Sequence, residues 1–258
     1  MKEKLASIER LLNIMDELRA KCPWDRKQTF ESLRNLTIEE TYELADAILE
    51  NDKEAIKKEL GDLFLHLVFY AKIGSETNDF DIKEVADTIS EKLIFRHPHV
   101  FGDTDVKDSP DIVKKNWEEL KIREGSHKVL GGVPKSLPAM IKANRIQEKV
   151  KAVGFDWEEK SQIWEKVMEE LNELRSEIEK SDKEKTENEF GDLFFSLINA
   201  ARLYNIDPET ALEKTNKKFI KRFNYLEEES ARRGKKIKDM TLDEMNEIWE
   251  EAKINTTK

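Results

Sequence analysis

Apolar residues recur along most of this chain at three- and four-residue spacing. Between residues 4 and 20, Leu5, Ile8, Leu11, Leu12, Met15 and Leu18 fall on one side of a helical wheel, the pattern of an amphipathic α-helix. Cys22-Pro23-Trp24-Asp25 interrupts it. The same period predicts helices over about 53–76, 81–95, 109–123, 139–152, 161–180, 183–204, 208–232 and 242–254. Before Asn51 runs another helix, for which Thr37-Ile38-Glu39-Glu40 offers a capping box, with Thr37 as cap and Glu40 reaching back. If Glu40 has another use, the helix must start earlier, near Thr29. A second capping box, Thr241-Leu242-Asp243-Glu244, opens the last helix. Arg96-His97-Pro98-His99-Val100-Phe101-Gly102-Asp103 reads as a loop, its two histidines suiting a structural or rim role over metal binding, for which their spacing alone is a weak signal. No strand-like alternation competes, so the expected class is all-α.

Composition agrees with that pattern. Of 258 residues, 38% are hydrophobic and 39% charged, with 9 Gly and 6 Pro, few for an all-β chain of this length. The single Cys22 excludes an intramolecular disulfide and suits a reducing, cytoplasmic setting. Glu3, Lys4, Glu9 and Arg10 break up any signal-peptide apolar core. The longest apolar run, near Leu63–Ala71, is interrupted by His66 and far too short to span a membrane. A net charge of −10 argues against general nucleic-acid binding, which needs a basic surface.

The chain is also internally duplicated. Glu40, Glu43, Glu59 and Asp62 return 130 residues later as Glu170, Glu173, Glu189 and Asp192. Pro23-Trp24-Asp25 is echoed by Gly154-Phe155-Asp156-Trp157, and the Trp117 segment by Trp249-Glu250-Glu251-Ala252-Lys253. Gly125–Pro138, with three Gly and two Pro, is the natural joint. The expected domains are therefore 1–124, a linker over 125–138, and 139–258.

Spacing says what these acids can do. Residues three apart share a helix face, so Glu40 points with Glu43 and Glu59 with Asp62. Midway between Glu43 and Glu59 lies Asn51-Asp52, a turn signal, and the second copy has Ser181-Asp182 there. If these are hairpin tips, Glu43 and Glu59 sit at one level, roughly 12 Å from the tip at 1.5 Å rise per residue. Four carboxylates then converge in each half. Gly61 and Gly191, between the acids, suggest a need for close approach, since glycine weakens a helix. Converging carboxylates repel unless neutralised. Oxygen donors suit a hard divalent cation such as Mg²⁺, with Mn²⁺ a substitute. A solvated acidic face is the plain alternative. A di-iron carboxylate bundle needs Glu-x-x-His motifs, but His66 follows Asp62 by four residues and Ser196 replaces it in the second copy.

The second half is better supplied with donors near its acids. Lys166 stands for Leu36, Lys185 for Ala55 and Asn199 for Phe69, while Lys218, Arg222, Trp249 and Lys253 are matched by Lys92, Arg96, Trp117 and Lys121. Such cations suit a polyphosphate. The second half is thus the expected centre of chemistry, and the first a weaker, regulatory or dimer-holding copy.

Taken together, Cys22-Pro23-Trp24-Asp25, Glu39-Glu40-Thr41-Tyr42-Glu43, Arg96-His97-Pro98-His99-Val100-Phe101, Val153-Gly154-Phe155-Asp156-Trp157 and the duplicated Glu-Glu-x-x-Glu…Glu-x-x-Asp pattern resemble the MazG nucleoside triphosphate pyrophosphohydrolases. The resemblance implies tandem all-α helical bundles completed by homodimerisation. It also implies Mg²⁺-dependent cleavage of a broad range of NTPs to NMP and pyrophosphate, in the service of nucleotide-pool control, chiefly in the C-terminal half. Carried over, Glu170, Glu173, Glu189 and Asp192 match metal ligands, with Glu40, Glu43, Glu59 and Asp62 as a possible second site. Lys166, Glu169, Lys185, Lys218, Arg222, Trp249 and Lys253 match nucleotide-contact positions, and Glu169 joins the four acids among the catalytic candidates. Asn188 departs from the family, where an acid is common.

Overall fold

A computed structural model describes residues 1–104, 109, 112, 113, 116, 117, 120 and 128–255. It divides into two compact units, Met1–Val113 and Lys114–Lys258. Most of the helix expected over 109–123, Lys121 included, and residues 125–127 of the expected joint lie outside the described residues.

The first unit comprises α1 (Lys2–Lys21), α2 (Phe30–Leu49), α3 (Lys53–Glu76), α4 (Ile82–Arg96) and the one-turn α5 (Pro98–Phe101). That last turn falls inside the stretch expected to be a loop. Pro98 at its first position starts it, because a fixed φ and a missing N–H cost nothing there. The second unit comprises α6 (Ala139–Ala152), α7 (Gln162–Lys180), α8 (Lys183–Leu203), α9 (Pro208–Arg232) and α10 (Leu242–Asn255). No described residue is in a strand.

In each unit the central piece is an antiparallel helical hairpin, α2–α3 and α7–α8. Its tip is built the same way twice. Asn51 and Ser181 hold left-handed conformations, with φ of 55° and 56°, which a short polar residue tolerates and which reverses the chain. The following Asp52 and Asp182 cap the return helix, accepting from the amides of Glu54 and Ala55 in one copy and Lys185 in the other.

The start of α2 corrects one expectation. Thr29, not Thr37, is its cap: Thr29 and Ser32 form a reciprocal capping box. Thr37 lies two turns inside, donating to the Leu33 carbonyl at 3.0 Å and meeting His66 Nδ1 at 2.6 Å and Tyr70 Oη at 2.7 Å. Glu40 is therefore free of any capping role.

Met15 of α1, Leu33 of α2, and Val68, Phe69 and Ile73 of α3 form the first core. Arg19 bridges α1 to Glu76 at the end of α3 and donates to the Asp25 and Gln28 carbonyls, tying down the Pro23–Asp25 loop. In the second unit Ile163, Ala200 and Leu203 pack together. There Arg202, 9% exposed, holds the Asp156 carboxylate of the echoing loop. The α6 helix joins α8 through Gln147, whose side chain donates to the Phe195 carbonyl at 2.8 Å. Buried Ile248 and Ala252 of α10 close on α9, where Leu226 is buried. No described helix is long and apolar enough to cross a membrane.

Candidate active site

The two hairpins gather the repeated acids. One carboxylate oxygen from each of Glu40, Glu43 and Glu59 lies within 4.8 Å of the others, and the same holds for Glu170, Glu173 and Glu189. An octahedral Mg²⁺ places its ligand oxygens roughly 3–4 Å apart, so each triangle is of the right size. Asp62 and Asp192 stand outside the triangles, close enough to act on them through their charge.

Glu59 and Glu170 are buried, at 5% and 6% exposure. Glu59 Oε2 and Glu189 Oε2 are enclosed and lack any hydrogen-bond partner among the described residues. Unpaired buried carboxylate oxygens are costly. The carboxyls respond accordingly. Glu40 is pushed above the usual carboxylate range by burial and by the charges of Asp62, Glu43 and Glu59. Glu189 is raised by loss of solvent and by Glu173, Asp192, Glu170 and Glu177. Hard oxygen donors, orphaned lone pairs and mutual repulsion fit a divalent cation at either cluster.

Of the expected nucleotide contacts, Lys166 is at the acids. Its Nζ lies 2.9 Å from Glu169 Oε1 and 2.7 Å from Glu170 Oε1, and this pairing holds the ammonium strongly protonated. Lys185 reaches Asp182 Oδ2 at 3.4 Å, near the hairpin tip. The others belong to the α9–α10 pair. Trp249 packs on Phe219 with ring centroids 5.0 Å apart, and Phe219 stacks on Phe223. Lys253 meets Glu250 at 2.5 Å, and Lys218 is exposed. Arg222 Nε is buried without a hydrogen-bond partner, a guanidinium donor still in need of an acceptor. His97 donates from Nδ1 to the Leu93 carbonyl, 2.6 Å away, as suits a structural histidine.

Three features escape the pattern of acids. Glu177, one turn beyond Glu173, adds a further carboxylate that raises Glu189, and its Oε2 is buried and unpaired. Its counterpart is Ala47. Lys58 lies 2.9 Å from Glu59 Oε1 and 3.9 Å from Asp62 Oδ2, where the second copy has Asn188. The Thr37–His66–Tyr70 group belongs to the first unit alone, since Val167, Ser196 and Ala200 replace it. All three were visible as mismatches between the copies. A Cβ at Gly61 or Gly191 meets nothing within 4 Å, so no close approach inside the described chain requires them.

Fold and site define an all-α protein built on two carboxylate-bearing helical hairpins. The MazG nucleotide pyrophosphohydrolase domain matches residues 28–101 and 158–226, which include both acid clusters. The chain is 44% identical over 258 residues to the Thermotoga maritima nucleoside triphosphate pyrophosphohydrolase/pyrophosphatase MazG, with 98% of each chain covered. It is 40% identical over 255 residues to the Escherichia coli K12 nucleoside triphosphate pyrophosphohydrolase, covering 95% of this chain and 97% of that one. It is also 47% identical over 247 residues to Bacillus subtilis YabN, covering 93% of this chain and 50% of that longer protein. The chain belongs to the MazG family, with the domain present twice.

Proposed function

We infer that this chain hydrolyses nucleoside triphosphates to nucleoside monophosphate and pyrophosphate, with Mg²⁺ as the cation and the second unit as the main site. The observation that carries the reading is the Glu170–Glu173–Glu189 triangle with its unpaired Glu189 oxygen. The names of the Thermotoga and E. coli relatives support the same reaction.

Glu170, Glu173, Glu189 and Asp192 would hold the cation, which when bound supplies charge neutralisation and polarises the phosphoryl group. Glu169, exposed and carried on the same helix as Glu170, accepts the proton of the attacking water. Water adds to the α-phosphorus, the bond from that phosphorus to the bridging oxygen breaks, and pyrophosphate leaves. Lys166 and Lys185 steady charge developing on the phosphates, together with Lys218, Arg222 and Lys253. The unpaired Arg222 Nε suits a phosphate oxygen. Trp249 stacks on the base. Stacking reads any ring, so broad base tolerance follows.

The protein acts as a homodimer in the cytoplasm, controlling the nucleotide pool. The dimer reading is supported by α4, which buries no residue and exposes Val85, Ile89 and Leu93 along one stripe, and by exposed Phe190 and Phe194 on α8. The test is product analysis with Mg²⁺ and each NTP, comparing Glu43→Gln and Glu173→Gln with the parent chain. NMP and pyrophosphate, lost in Glu173→Gln alone, is the expected result. Orthophosphate release, or no turnover of any NTP or dNTP, overturns the reading.

A further inference from the structure

The two carboxylate triangles are matched residue for residue, but their lysines come from opposite arms. In the second cluster Lys166 enters from α7, and the residue before Glu189 is the uncharged Asn188. In the first, Leu36 stands at the Lys166 position and Lys58 at the Asn188 position. Lys58 Nζ lies 2.9 Å from Glu59 Oε1 and 3.9 Å from Asp62 Oδ2, so it engages two of the four acids there. Lys166 engages one of four, Glu170, and spends its other contact on Glu169.

The members of the Lys58 pair differ in freedom. The Glu59 side chain is 7% exposed, and its Oε2 is buried without a partner. The Lys58 side chain is 67% exposed. The carboxylate is therefore fixed by packing, whereas the ammonium can turn into water without disturbing the fold. An incoming divalent cation must expel this ammonium or share Glu59 with it, and like charges a few ångströms apart repel.

We propose that Lys58 is a built-in competitor for divalent cations at the Glu40–Glu43–Glu59–Asp62 cluster, making it the weaker of the two cation sites. The property resides in one position and is transferable: an uncharged residue at 58 strengthens the first site, and a lysine at 188 weakens the second. This rests on the cation reading proposed above.

The test is direct Mn²⁺ binding to the full chain at neutral pH, followed by the paramagnetic resonance of free Mn²⁺ and independent of turnover. Glu173→Gln isolates the first cluster and Glu43→Gln the second, with circular dichroism checking helicity. Lys58→Asn in the Glu173→Gln chain is expected to tighten Mn²⁺ binding about fivefold, the scale of a largely exposed ion pair. Asn188→Lys in the Glu43→Gln chain is expected to weaken it about as much. Unchanged or weaker binding in the Lys58→Asn chain overturns the proposal. Should Asn188→Lys not fold, the Lys58→Asn result decides, since position 58 faces solvent. If the parent chain binds no Mn²⁺ at all, the cation reading falls and takes this proposal with it. If both clusters bind equally with Lys58 in place, only the competitor role falls.

Discussion

Lys166 Nζ stands 2.7 Å from Glu170 Oε1, and Glu170 is the most enclosed acid of the second cluster. The pair does two things at once. It neutralises a carboxylate that packing has removed from water, and it keeps a cation at the mouth of the site for an arriving phosphate. Lys166→Met separates these roles by keeping the aliphatic stem. Because Lys166 is 37% exposed, solvent screens the pair, and the expected loss of fold stability is about 1 kcal/mol or less. Turnover of NTP should fall more steeply, through a raised KM and a lower kcat. Lys166→Arg should restore the stability. Denaturant melts beside steady-state kinetics check both parts.

Glu40 and Glu189 make stability depend on pH and on cations together. Both titrate higher in the folded chain than when unfolded. The folded state thus holds their protons more tightly, and stability relative to the unfolded chain is fully present below the ordinary carboxylate range. It is lost as pH rises through the raised folded values. Without divalent cations the protein should therefore melt lower at pH 7 than at mildly acidic pH, as far as these two groups govern it. Glu189→Gln should raise the melting temperature at pH 7 and flatten that dependence. Mg²⁺ should stabilise the parent chain at pH 7 and stabilise Glu189→Gln much less, because one ligand is gone. Thermal melts at two pH values, with and without Mg²⁺, test this.

Thr37 joins α2 to α3 through His66 and Tyr70, at 2.6 and 2.7 Å. Burial holds the His66 imidazole below its usual pKa, against the opposing pull of Asp62. Thr37→Val keeps the side-chain shape but leaves His66 Nδ1 without its hydroxyl partner. The expected cost is about 1–3 kcal/mol of first-unit stability. Turnover assigned to the second unit should survive at temperatures where the first unit remains folded. Denaturation followed beside activity separates the two.

The hairpins were legible in the sequence because their determinants are local. Asn51 and Ser181 at the tips, with Asp52 and Asp182 as caps, are turn chemistry that needs no tertiary context. The level of the acids then follows from helical rise alone. What stayed illegible depends on contacts across helices. Thr37-Ile38-Glu39-Glu40 satisfies the local rule for a capping box, yet the Thr29–Ser32 pair upstream does so earlier, and Thr37 is used by α3 instead. Glu177 looks like one more surface acid until the fold buries one of its oxygens without a partner. Lys58 belongs with the legible features: it meets Glu59 and Asp62 along its own helix, at one and four residues' spacing, and it stands where the second copy has Asn188. Asp62 and Asp192, placed by the same spacing, lie near enough to raise Glu40 and Glu189 through their charge.

Gly191 gives the sharpest test of what lies against the second hairpin. Glycine inside a helix costs backbone entropy, and alanine at the same place is better by about 0.5–1 kcal/mol. Within the described chain nothing lies within 4 Å of the Cβ that alanine would add, at Gly191 or at Gly61. Gly191→Ala should therefore raise the melting temperature by roughly 2–4 °C, and Gly61→Ala should do likewise. Turnover supplies the second readout. If a bound triphosphate or a partner copy comes up against α8 between Glu189 and Asp192, the added methyl meets it, and KM or dimer dissociation rises while the isolated fold gains stability. If turnover and assembly are unchanged, the glycines serve no approach, and the helix simply tolerates them. Calorimetry, NTP kinetics and sedimentation on the two variants separate these outcomes.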